Sequence, residues 1–306
     1  MAKRECGVVR EMSDNKFKSS VLGASENKSF AMALPAVLWQ GIFLYVPVVF
    51  IIGISFLKGL DGSVFKNITL GNYDTLMNSS YFITIYRSVV LAFSTALMCL
   101  ILAYPTAYFL AIKVKKYKNL LFFLLILPFW INFLVKAYSW FFILDHNGFV
   151  NSFLIKIGLI STPFHILNTP IAVYIVMVFC YLPFMILPLY NSMAKIDKFL
   201  LEASSDLGAT AGQTLWHITI PLSMAGITSG FFLVLIPSFG EFVIPTLLGG
   251  GKTMYVGSMI SYFFLETKNV FLGSAFTCLS GLALIFVALS IYFVFNKIGK
   301  KNMGVK

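Results

Sequence analysis

Glu202–Pro221, EASSDLGATAGQTLWHITIP, is polar and rich in small residues, in a 306-residue chain that is otherwise 58% hydrophobic and only 11% charged. Just before it and into it, Asp197–Leu207 combines good helix formers with Phe199, Leu200, Ala203 and Leu207 at helical spacing, which predicts a short amphipathic helix. Gly208 is expected to end that helix, because glycine adopts positive φ without steric cost. The apolar pattern resumes at Leu215 and Ile218, and Pro221 is expected to break the backbone before the next apolar run. A short helix, a hinge and a second short helix would stand out from their surroundings as a docking surface.

Working outward, the mean hydropathy of +0.86 and the low charge place the chain among polytopic membrane proteins. A helix needs about 20 apolar residues to span a bilayer. Six segments reach that length, near Phe30–Leu57, Thr84–Ile112, Leu120–Leu144, Thr169–Tyr190, Leu222–Leu247 and Phe271–Phe295. The expected fold class is therefore an all-α membrane protein with six transmembrane helices. Pro237, Gly240 and Pro245 make the fifth the least regular, and such breaks survive in lipid only where neighbours or a water-filled cavity satisfy the freed backbone groups.

Charge sets the orientation. Sixteen of the 23 Lys and Arg fall before residue 30, in Lys113–Lys118, in Lys195–Lys198 and after Phe295; six lie in the opposite connections and Lys136 lies within a span. The positive-inside rule then puts both termini and the Glu202–Pro221 loop in the cytoplasm. The expected organisation is a polar cytoplasmic tail 1–29, a transmembrane domain 30–296 whose loop 191–221 carries the docking surface, and a basic cytoplasmic tail 297–306. The first apolar run is longer than a signal-peptide core and lacks a small-residue cleavage site, so it reads as an uncleaved first helix.

The net charge of +11 is dispersed in short blocks rather than gathered in one patch, which argues against nucleic acid as a partner. Cys6 lies in the polar tail, while Cys99, Cys180 and Cys278 sit in apolar runs as small hydrophobes. His146, His165 and His217 have no second ligand at helical spacing, so no metal site or disulfide is expected. Thr246–Thr253, TLLGGGKT, only mimics a phosphate-binding loop, because Thr246 stands where the first glycine is required. No nucleophile with a matching base appears, so no catalytic residue is assigned.

The spacing of Glu202, Ala203, Ser204, Gly208, Ile218 and Pro221 resembles the E-A-A-x3-G-x9-I-x-L-P loop of ABC importer permeases. Ser204 for Ala and Ile220 for Leu are the two departures. LAYPTAYFLA (Leu102–Ala111), LPFWINFLVKAYSWFFIL (Leu127–Leu144), NGFVNSFL (Asn147–Leu154), YLPFMILPLYNSMAKID (Tyr181–Asp197) and PSFGEFVIPTLLGG (Pro237–Gly250) are similar to the spermidine/putrescine importer permeases, specifically the first of their two permease subunits. The resemblance implies an ABC type I importer permease fold in a bacterial cytoplasmic (inner) membrane. It also implies a heterodimer with a second homologous permease, a dimer of separate ATPase subunits, an extracytoplasmic polyamine-binding protein, and polyamine cargo.

By the same resemblance, Glu202, Ala203, Ser204, Asp206, Gly208, Ile218 and Pro221 couple the chain to the ATPase. ATP and Mg would sit on that partner, with no cofactor bound by this chain. The same machine for iron or an oxyanion is one alternative. A secondary transporter that needs no ATPase is another, although only the fifth helix reads as clearly interrupted, where such carriers often have paired broken helices.

Glu241 and Lys136 stand out as charges within spans, where each costs about 2.5 to 3.5 kcal/mol on insertion scales. Either they form a structural ion pair, or Glu241 faces the translocation path and offsets the lost hydration of a polycation. Trp130, Tyr138, Trp140 and Phe239 are the aromatic candidates for cation-π contacts on that path, with interfacial anchoring and packing as the alternative. Asp145–Asn151 and the loop near Lys252 are expected at the external mouth, as contacts for a binding protein.

Overall fold

The structure is a computed structural model that describes residues 34–58, 68–114 and 116–302, with side chains described to residue 299. The expected tail 1–29 and the last four residues of the basic tail lie outside the described residues. Among the described residues, five helices are long and apolar enough to cross a membrane: α1 (Leu34–Ser55), α3 (Ser79–Lys113), α7 (Pro170–Met193), α9 (Ala211–Phe239) and α12 (Val270–Asn302). Between α1 and α3 lies the short α2 (Gly71–Leu76).

The third expected span is not one helix. α4 (Lys118–Ile126) continues through a 3-10 turn to Trp130, and the following segment Phe133–Lys156 turns away from it by 91°. Pro128 opens the 3-10 turn, Ile131 is extended, and the Asn132 side chain then caps α5 (Phe133–Leu144) by accepting from Leu134 N at 2.9 Å. Taken as one bent pair, the two halves supply the sixth crossing.

Three helices, α3, α7 and α9, pack against one another and form the core. α3 offers a stripe of small buried residues, Ala92, Ala96, Cys99, Ala103 and Ala107, which repeats at helical spacing and lets neighbouring backbones approach. α9 does the same with Gly226 and Gly230. A Cβ at Gly226 would lie 2.6 Å from Ser192 Cβ, and one at Gly230 would lie 2.8 Å from Met185 Sδ. Lipid removes the hydrophobic drive between helices, so this close packing supplies much of the cohesion. α12 packs on α9 and carries α1 on its other flank, and the outer face of α1 is exposed and apolar.

Two expectations at α9 are corrected. Pro221 does not break the chain, because the helix runs from Ala211 to Phe239 with a π turn at Leu215–Thr219 in which Ile220 N donates to Leu215 O. The wider turn relieves the clash between a proline ring and the preceding turn. Pro237 likewise sits within the helix, and the actual stop is Gly240. After Glu241 and Phe242, a short α10 (Val243–Leu248) begins and includes Pro245.

On the side of the chain expected to face outward, α6 (Phe149–Lys156) follows α5, and α11 (Val256–Glu266) precedes α12. Asn151 belongs to the run expected at the surface, yet it is 1% exposed. Its amide donates to the carbonyls of Asp145, His146 and Phe164 and accepts from Phe164 N, so it pins the loop from within. His146 and His165, far apart in sequence, stack with ring centroids 4.6 Å apart. α11 is tied to α3 by Val256 N donating to Ser88 Oγ at 2.7 Å.

Candidate functional site

Two regions carry the candidate residues, one at each end of α9. At the first, Asp197 caps α8 (Lys198–Asp206) by accepting from Phe199 N at 3.0 Å. Gly208 follows with φ +81°, a conformation that costs an L side chain roughly 1–2 kcal/mol. Thr210 and Gln213 then form a capping box that starts α9, so α8 and α9 meet at a tight elbow. Ser204 Oγ and Thr214 Oγ1, 2.8 Å apart, join the two arms.

The elbow sorts its residues by direction. Ser204 and Pro221 are buried and Ile218 is half-buried, whereas Glu202, Ala203, Asp206 and Gly208 are exposed. Phe199 is 75% exposed and Leu207 88% exposed. The predicted amphipathic helix is present, and apolar residues of it point away from the fold.

At the other end of α9, Glu241 is 9% exposed. Its Oε2 accepts a hydrogen bond from Tyr181 Oη at 2.8 Å. Its Oε1 accepts from Val243 N at 2.9 Å and from Ile244 N at 3.5 Å, so the side chain caps the start of α10 across the helix break. A carboxylate persists away from water only when its oxygens are satisfied in this way. Lys136 is not among its hydrogen-bond partners; the Lys136 Nζ lies 5.9 Å from the Phe133 ring centroid.

Glu241 and Lys136 nevertheless line one cavity of about 500 Å³, together with Trp130, Asn132 and Tyr181. Phe129 and Phe184 meet in its wall with centroids 4.9 Å apart and ring planes inclined by 57°. The α4–α5 break and the α9–α10 break both open onto this space, where freed backbone groups are tolerated. The lining thus holds one carboxylate, one ammonium and several aromatic faces, of which the carboxylate and the rings are the groups that attract an organic cation.

Of the aromatic candidates, only Trp130 joins Glu241. Tyr138 lines a second cavity, Trp140 packs edge-on against Phe179 with centroids 5.2 Å apart, and Phe239 is buried in the core. Sequence reasoning missed Tyr181, because α7 reads as uniformly apolar, and it missed Asn132. A proline followed by an asparagine four residues later, Pro128 and Asn132, was a legible signal for a helix stop and restart.

The profile of the family described as binding-protein-dependent transport system inner membrane component matches residues 103–300. The spermidine/putrescine transport system permease protein PotB of Escherichia coli (strain K12) is 43% identical, over 80% of this chain and 89% of that protein. The protein of the same description from Haemophilus influenzae is 39% identical, over 88% and 94% respectively. Among solved structures, a chain of a bacterial alginate ABC transporter, in complex with an alginate pentasaccharide-bound periplasmic protein, superposes with a TM-score of 0.71 at 20% identity, covering 90% of this chain and 96% of that one.

Proposed function

The chain belongs to the family of binding-protein-dependent transport system inner membrane components, and from that premise we propose that it is a polyamine permease subunit of an ATP-driven importer. The observation that carries the cargo assignment is the buried carboxylate of Glu241 in an aromatic cavity, in a chain 43% identical to a spermidine/putrescine permease. In this reading the subunit sits in a bacterial inner membrane with both termini in the cytoplasm, where the distribution of Lys and Arg supports that orientation. It pairs with a second, homologous permease and rests on a dimer of ATPase subunits that hold ATP and Mg. The chain itself supplies a pathway rather than hydrolysis.

The mechanism is alternating access. A loaded extracytoplasmic binding protein docks outside, and ATP closes the ATPase dimer. The exposed side of α8, with Glu202, Ala203, Asp206 and Leu207, sits against an ATPase and passes the motion through Gly208 into α9. Because α9 is continuous from Ala211 to Phe239, displacement of its inner end reaches the break beside Glu241 as a rigid-body motion. Glu241 then offsets part of the cargo's lost hydration, while Tyr181 and the α10 amides share its charge and keep the hold on the cation weak enough for release.

The test is uptake of labelled spermidine and putrescine by cells lacking this gene, with and without the restored chain. ATP-dependent uptake that returns with the chain supports the reading. Unchanged polyamine uptake in the deletion strain, with no redundant system present, would sink the cargo assignment.

A further inference from the structure

Glu266 has no role in the pathway so far described, and Tyr138 is one of the candidate aromatics that the Glu241 cavity leaves aside. The two meet in a second cavity of about 420 Å³, which Thr246, Ser258 and Tyr262 also line. We propose that this cavity is a separate binding site for the primary ammonium groups of the cargo, with Glu266 as counter-ion and Tyr138 and Tyr262 as aromatic faces. The inference rests on the polyamine reading above for the identity of the cargo.

Charge is the first argument. Among the described residues, Glu266 is the one charged residue lining this cavity, whereas the Glu241 cavity also contains Lys136, so the second space is the more attractive of the two to a cation. Chemistry is the second. Thr246 Oγ1 and Ser258 Oγ are 3.5 Å apart, at the limit of a hydrogen bond, and their lone pairs can accept from the three N–H donors of an ammonium group. Tyr262 and Glu266 begin and end a π turn, closed by Thr267 N donating to Tyr262 O at 3.0 Å, and such turns recur at functional sites.

Position is the third. Phe242 and Val243 line the second cavity, and Val243 N is the group that holds Glu241 Oε1, so the two spaces share the α9–α10 break as a wall. Gly251, Thr253 and Met254, from the connection after α10, also line it. That connection is external by the charge distribution, so this cavity is the outer station and the Glu241 cavity the inner one. Two modest sites in series keep a polycation moving where one strong site would trap it.

The test reads the cavity directly. Ser258→Cys is introduced into the assembled transporter in membrane vesicles, and its labelling by a small thiol reagent is measured above the background of the parent chain, with and without spermidine. Spermidine should slow labelling about fivefold or more, from the combined carboxylate and aromatic contacts. Adding Glu266→Gln or Tyr262→Leu should remove that protection, and Tyr262→Phe, which keeps the ring face, should retain it. Thr246→Cys repeats the measurement from α10 if Ser258→Cys does not assemble.

Absence of protection while the wild-type chain imports polyamine would overturn the site. Protection undiminished by Glu266→Gln would overturn its counter-ion. If spermidine protects but the wild-type chain does not import it, the cargo reading falls while the ammonium site stands.

Discussion

α9 is flanked by two interruptions, at Gly208 and at Gly240–Phe242, and they are built in opposite ways. Gly208 has φ +81° and a Cβ there would meet nothing within 4 Å, so its elbow depends on the backbone freedom of one residue. Gly240 also has open space around its Cα, but its φ is an ordinary −89°. The second break is held instead by the Glu241 side chain, which bonds Tyr181 on α7 and the amides that open α10. A hinge that transmits motion needs local backbone permission, whereas a break that shapes a cavity needs partners from elsewhere in the fold.

The comparison fails or sharpens on four substitutions. Gly208→Val should have the largest effect, because a β-branched residue at positive φ costs about 1–2 kcal/mol or more, and the elbow becomes roughly tenfold or more scarcer. Uptake should fall by at least that factor, with normal amounts of protein in the membrane and continuing ATP hydrolysis; normal uptake would remove Gly208 from the coupling path.

Glu241→Gln comes next. Gln keeps an acceptor oxygen but loses the charge, which is worth about 1–1.5 kcal/mol, so transport should drop about five- to tenfold. Near-normal transport with unchanged affinity would end its pathway role. Tyr181→Phe removes one bond to that carboxylate and should lower uptake about fivefold, near 1 kcal/mol. An effect as large as that of Glu241→Gln would instead point to Tyr181 itself touching cargo.

Gly240→Ala should be the mildest, within about twofold of wild type, because a methyl fits both the space and the φ. A loss matching Gly208→Val would show that the two breaks work alike after all. The neighbouring Gly257 offers a contrast for control, since a methyl there would overlap the Gly240 carbonyl.

Much of the elbow was legible beforehand. The amphipathic spacing of Phe199, Leu200, Ala203 and Leu207 and the stop at Gly208 are properties of neighbouring residues, and α8 and its positive φ follow them. Pro221 was misread because the π turn before it, with Ile220 N reaching back to Leu215 O, is set by how α9 continues into the bundle. Hydropathy carried Leu120–Leu144 as one span for a similar reason: the stretch stays apolar on average across Ile131 and the single polar Asn132, although the backbone does not continue as one helix. Gly226 and Gly230, four apart on α9, were a readable signature of close helix packing that the charge and hydropathy pattern overshadowed.

What the sequence alone determined is the membrane class, the number of crossings counting the bent pair, and the conformation of the elbow. Those depend on the transfer of apolar residues into lipid and on the backbone preferences of single residues, which act over a few neighbours at most. The tertiary structure alone decided that Glu241 rests on Tyr181 rather than on Lys136, that Trp130 shares its cavity while Tyr138 shares one with Glu266, and that His146 meets His165. Each of those brings together segments distant in the chain, and how such segments pack, not their local character, selects which polar groups face each other.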